Sequence, residues 1–128
     1  MKGPVICGIE DANDDGVAAV ALDLADRYDL QLLFVHVGSD EDGRGDVAQL
    51  VREQTAAGRA DLVIEGGHPA DRLIELARDR QAAFLVVGNR GPRSSLLGSI
   101  SAEVSRRAPA PVLVVPRTAS ANVPEAAA

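Results

Sequence analysis

The sequence predicts an α/β fold of the doubly wound type, an open sheet of five parallel strands with helices on both faces. Short apolar runs are nearly continuous rather than alternating, as strands buried on both faces are. Between them, apolar residues recur at three- and four-residue spacing, the mark of helices with one buried side. The run ending at Val87 also feeds a glycine-containing loop, Gly88 to Gly98, that opens into a helical segment at Ser99, the strand-loop-helix order such folds require.

Pro4 to Ile9 reads as a buried first strand, followed by acids from Glu10. Asn13 or Asp14 is placed to cap a helix whose inward positions are Val17, Val20, Ala21, Leu24, Ala25 and Tyr28. Leu30 to Val37 makes a second strand, interrupted only by Gln31 and His36. Gly38 to Gly45 is a solvated turn with an acidic cluster; it lacks the ligand spacing and closing glutamate of a calcium loop. Asp46 to Gly58 gives a second helix and Ala60 to Ile64 a short third strand. In Gly66-Gly67-His68-Pro69 the proline suits the first position of a third helix, which carries Leu73, Ile74 and Ala77 and ends near Gln81. Ala83 to Val87 is the fourth strand. Ser99 to Arg107 is a fourth helix with Ile100 and Val104 inward, and Pro111 to Pro116 is the fifth strand. Residues 1–117 are expected to form one domain. Residues 118–128, alanine-rich and without apolar pattern, are expected to be a disordered tail.

A chain of 128 residues suffices for one core without disulfides. Its single cysteine, Cys7, lies in an apolar run and reads as a buried thiol. Met1 to Pro4 lacks a secretory apolar region, and no run approaches the ~20 apolar residues that span a bilayer, so a cytoplasmic protein with no membrane partner is expected. The net charge is −6, yet the halves differ: residues 1–64 carry 13 acids and 5 bases, residues 65–128 carry 6 and 8. An acidic chain with 2% aromatics offers neither the basic face nor the stacking surface that nucleic acid needs.

The basic half contains the glycine loop. Glycines let backbone approach an anion, and the first N–H groups of the following helix point, with its dipole, at whatever sits there. Gly88, Gly91 and Gly98 therefore read equally as a phosphate cradle or as a tight strand-to-helix turn. Ser99 is a helix cap that can also donate to phosphate. Arg90 and Arg93 are solvated loop residues or the cations of the cradle. In a doubly wound sheet, ligands sit beyond the C-terminal strand ends at the switch point, here between the first and fourth strands, which brings Glu10 and Asp11 opposite the loop.

Taken together, these segments resemble the universal stress protein family over about residues 3 to 117. The family shows Gly, two residues, Gly, a longer gap, then Gly-Ser or Gly-Thr before a helix. Gly88, Gly91, Gly98 and Ser99 follow that order. Pro111-Val112-Leu113-Val114-Val115-Pro116 resembles its closing strand, and the Leu-Leu-Phe-Val-His-Val run and the Gly67-His68-Pro69 turn match it too. The resemblance implies a Rossmann-like sheet ordered 3-2-1-4-5 and a regulatory module binding ATP or AMP, with Mg²⁺ held only through phosphates. By position, Gly88 would lie near the ribose, and Gly91, Gly98, Ser99 and Ile100 would contact phosphate. Val37 would offer backbone to adenine. Glu10, where the family has Asp, would accept from the adenine amino group or the ribose. Six residues separate Gly91 from Gly98, roughly three fewer than the family's spacing, or up to ~10 Å of extended chain. The alternative is a dimeric stress or interaction protein that holds no nucleotide.

Other chemistries lack their residues. A phosphoacceptor module would need an Asp ending the third strand and a Lys after the fifth; those places hold Glu65 and Arg117. His36 and His68 have no Ser, Cys or carboxylate beside them in sequence, so they read as structural and no catalytic residue is assigned. The resemblance also implies a homodimer. Val112, Leu113, Val114 and Val115 form an apolar strand at the sheet edge, which pairing with its twin across a two-fold would cover.

Overall fold

The computed structural model describes residues 3–10, 14–37, 46–89 and 99–116. Its elements run β1 (Val5–Ile9), α1 (Asp15–Tyr28), β2 (Leu32–Val37), α2 (Asp46–Ala56), β3 (Ala60–Glu65), α3 (Pro69–Asp79), β4 (Phe84–Asn89), α4 (Ser99–Arg107) and β5 (Val112–Pro116). The five strands form one sheet ordered β3-β2-β1-β4-β5, and every pairing is parallel, as the apolar runs predict. The expected turn at 38–45 and tail at 118–128 lie outside the described residues.

Alternation along the strands divides the core in two. Val5, Cys7 and Ile9 of β1 with Leu32 and Phe34 of β2 face α1 and α2, joining Val17, Ala18, Ala21 and Val51. Ile6, Leu33, Val35, Leu85 and Val87 face the other way, against Leu73 and Ala77 of α3 and Val104 of α4. Phe34, fully buried, is among the largest side chains of the core. Among the described residues no helix is long and apolar enough to cross a membrane.

Several boundaries differ from the sequence expectation. The second strand begins at Leu32 rather than Leu30, because Asp29 turns left-handed (φ 55°) and Leu30 N–H bonds back to the Ala25 carbonyl at 2.9 Å, closing the end of α1. Tyr28, expected inward, is 51% exposed and lies instead against Phe84, with ring centroids 5.5 Å apart. The fourth strand continues through Gly88 and Asn89, which pair with Val115 and Pro116 of β5, so Gly88 belongs to the sheet and not to the loop. The fourth helix spans the predicted residues.

Candidate functional site

The strand order puts β1 between β2 and β4, and the chain leaves β1 and β4 toward opposite faces of the sheet. That divergence opens a cleft at the C-terminal strand ends, the position where doubly wound folds hold ligands. Gly8, Val35 and Val87 form its floor, Leu73, Pro69 and Ile100 its wall, and Glu10, Asp14, Val37 and Gly88 its rim. The cleft is narrow: about 410 Å³ is empty when the open mouth is counted, yet the centre of a water-sized sphere has only about 20 Å³ to occupy. Gly8 keeps the floor open. A Cβ there would stand 3.1 Å from Leu73 Cδ1 and 3.6 Å from Val87 Cγ1.

Two buried polar residues hold the end of β1 beside the rim, Asp14 within the cleft lining and His36 outside it. Asp14 occupies the N-cap position of α1 but makes no side-chain cap hydrogen bond. Its Oδ2 instead accepts the Glu10 backbone N–H at 2.6 Å. His36, register partner of Ile9 across the β1–β2 ladder, places Nδ1 3.0 Å from the Ile9 carbonyl oxygen. A carbonyl only accepts, so Nδ1 carries the proton and donates. Asp14 is 2% and His36 4% exposed. Glu10 is half-buried, and its Oε1 is shut away from solvent.

Of the residues singled out in the sequence, Glu10, Val37, Gly88 and Ile100 surround this one cleft. Ser99 is the first residue of α4. Arg90, Gly91, Arg93 and Gly98 lie outside the described residues, as does Asp11. Sequence reasoning missed Gly8, Asp14 and Leu73 as cleft residues. Gly8 had left a signal: a glycine inside an otherwise apolar strand often marks a close approach. At the far edge of the sheet, Val112 and Val114 are partly buried, Leu113 is 41% exposed, and Val115 is buried against the α1 core.

Among the described residues, two other groups carry chemical side chains. On the surface between α3 and α4, ligand atoms of His68, Asp71 and Glu103 lie within 4.8 Å of one another. Arg107 Nη1 already holds both carboxylates there, Asp71 at 2.9 Å and Glu103 at 2.5 Å, and hydrogen bonds to Asp71 and then Glu103 raise the guanidinium's pKa. Such surface pairs tie the helices together at little net gain. Cys7 is fully buried, its S–H directed at the Val17 carbonyl 3.9 Å away; burial, then the Asp14 carboxylate, pushes its pKa up. It is a core thiol and not a nucleophile.

The sequence matches the family model described as the universal stress protein family over residues 1–116. A universal stress protein of Mycobacterium tuberculosis is 49% identical over 55 residues, 41% of this chain and 38% of that protein. One of Mycolicibacterium smegmatis is 32% identical over 134 aligned positions, covering 88% of this chain and 45% of that protein. The chain thus spans less than half the length of these curated relatives. Among solved structures, a universal stress protein in complex with cAMP superposes with a TM-score of 0.68 at 28% identity, covering 88% of this chain and 96% of that one. A universal stress protein from Archaeoglobus fulgidus in complex with dAMP gives a TM-score of 0.64 at 18% identity, covering 90% and 98%, a likeness of fold.

Proposed function

Since the chain belongs to the universal stress protein family, we propose that it is a regulatory module that binds an adenine nucleotide, ATP or AMP, across the mouth of the β1–β4 cleft. The observation that carries this reading is the convergence of Glu10, Val37, Gly88 and Ile100, from four separate parts of the chain, on one cleft at the switch point. A relative at 28% identity holding cAMP supports it.

In this reading Val37 presents backbone to the base, Gly88 lies near the ribose, and Glu10 accepts from the amino group or a ribose hydroxyl. Ser99 and Ile100, at the start of α4, donate to phosphate, with Gly91, Gly98, Arg90 and Arg93 completing the cradle. Any Mg²⁺ is carried by the phosphates. In this reading the module senses nucleotide and hydrolyses ATP slowly at most. Residues 1–117 act as one domain in the cytoplasm, and the chain dimerises through β5 without nucleic acid or membrane.

A second reading, a dimeric interaction protein holding no nucleotide, is favoured by the narrowness of the cleft. Denaturing the purified protein and analysing the supernatant by mass spectrometry separates the two, together with calorimetric titration of Mg-ATP, AMP and cAMP. The nucleotide reading expects released adenine nucleotide or a one-site binding isotherm. Neither released nucleotide nor heat would leave the interaction protein.

A further inference from the structure

We infer that His36 and Asp14 are positioning residues that orient Glu10 toward the nucleotide by gripping one peptide group from both ends; this rests on the nucleotide reading. The peptide joining Ile9 to Glu10 is where β1 runs out. Its carbonyl takes the His36 Nδ1–H at 3.0 Å, and its N–H goes to Asp14 Oδ2 at 2.6 Å. Ile9 is the last residue of β1 paired with β2, so the ladder reaches the carbonyl end of this peptide, while its N–H end, past the strand, is held by Asp14. Rotating the plane would swing the Cα–Cβ bond of Glu10. A rotation that kept one of these bonds would break the other.

Both anchors are buried, so water does not compete for the bonds they make. The Asp14 bond is charge-assisted, which accounts for its short length. The placement also runs against local preference. An aspartate at a helix N-cap ordinarily turns its carboxylate onto the first helical N–H groups; here it is diverted to the strand end. His36 is likewise held at the one register position that faces the Ile9 carbonyl, on the side of the sheet facing α1. The cleft is thereby given a rim whose carboxylate is set before any ligand arrives, which lowers the cost of binding.

The test combines AMP titration with amide exchange of the ligand-free protein. His36→Leu is expected to weaken AMP binding about tenfold, and His36→Asn, whose amide N–H can reach the same carbonyl, to restore it to within about threefold. In a Glu10→Ala background, His36→Leu is expected to cause no further loss, because it acts through Glu10. An equal loss in both backgrounds would overturn the inference, since a residue that merely stabilises the fold weakens both alike. Without nucleotide, the Glu10 amide is expected to exchange slowly in the wild type. It should exchange at least about tenfold faster in His36→Leu, beyond any change in the slowest core amides. Unchanged Glu10 exchange overturns the clamp. Should His36→Leu fail to fold, Asp14→Ala is read by the same exchange measurement against the same core amides. Wild-type protein that binds no AMP but protects Glu10, with protection lost in the variants, overturns the nucleotide reading and leaves the clamp standing.

Discussion

Gly8 and Leu73 meet across the floor of the cleft, where a Cβ on Gly8 would lie 3.1 Å from Leu73 Cδ1. Only the far end of a flexible leucine stands in the way of a methyl group, but a branched side chain would also press on Val87 and fill the enclosed space. The cleft therefore exists because one strand residue has no side chain.

Gly8→Val is expected to abolish nucleotide binding and to cost roughly 1–3 kcal/mol of stability through overpacking. Gly8→Ala should be tolerated in stability while weakening binding. Urea unfolding and calorimetry on both variants check this. Wild-type affinity in Gly8→Val would remove the floor from the site.

Phe34 sits fully buried in β2, in register with Cys7 of β1 and Leu62 of β3. Phe34→Ala should destabilise the protein by about 3–5 kcal/mol, and Phe34→Leu by under about 1.5 kcal/mol. Denaturant titration measures both. Equal, small losses would mean that this half of the core is loosely packed.

The buried thiol of Cys7 makes stability depend on pH. Burial, with the Asp14 carboxylate second, holds its folded pKa above the unfolded value of about 8.5. At pH above that value the unfolded chain sheds a proton the native state keeps, so this stabilisation is complete below about pH 8.5 and declines as pH rises. The stability difference between wild type and Cys7→Ala should therefore shift against the wild type by about 2 kcal/mol from pH 7 to pH 10. A difference that stays constant would show that the thiol ionises freely in the fold.

Leu113 is 41% exposed on β5, an edge strand with β4 as its neighbour in the sheet. If β5 pairs with its twin, wild type sediments as a dimer and Leu113→Lys as a monomer, with monomer stability changed by no more than about 0.5 kcal/mol. A monomeric wild type, or an unchanged mass in the variant, contradicts the proposed interface.

The architecture is legible because burial on both sheet faces writes continuous apolar runs into β1, β2 and β4, and one-sided burial writes the helical spacing of α1 and α3; β5 carries a similar run at a partly exposed edge. What stayed hidden depended on contacts distant in sequence. Gly88 and Asn89 have the look of a loop, yet their register opposite Val115 and Pro116 of β5 draws them into β4. Tyr28 fits the apolar spacing of α1, but as its last residue it reaches past the core to the ring of Phe84. Asp14 was readable as a cap; that its carboxylate turns to Glu10 instead follows from where β1 ends in space. His36 reads as structural in the sequence, and its bond to the Ile9 carbonyl fits that reading, at the strand end that leads into the cleft. In the sequence Glu10 is marked by its place at the end of the first strand, whereas Val37, Gly88 and Ile100 are marked only through the family resemblance; one cleft is lined by all four.

The most direct test of the central proposal is an NMR titration of the isotope-labelled protein with AMP, following backbone amides across the sheet. The nucleotide reading predicts saturable shifts confined to the cleft, at Gly8, Glu10, Val37, Gly88 and Ile100, with the amides at the N-terminal strand ends, Val5 and Leu32, unmoved. Spectra unchanged at millimolar AMP, or shifts spread evenly over the surface, would contradict it.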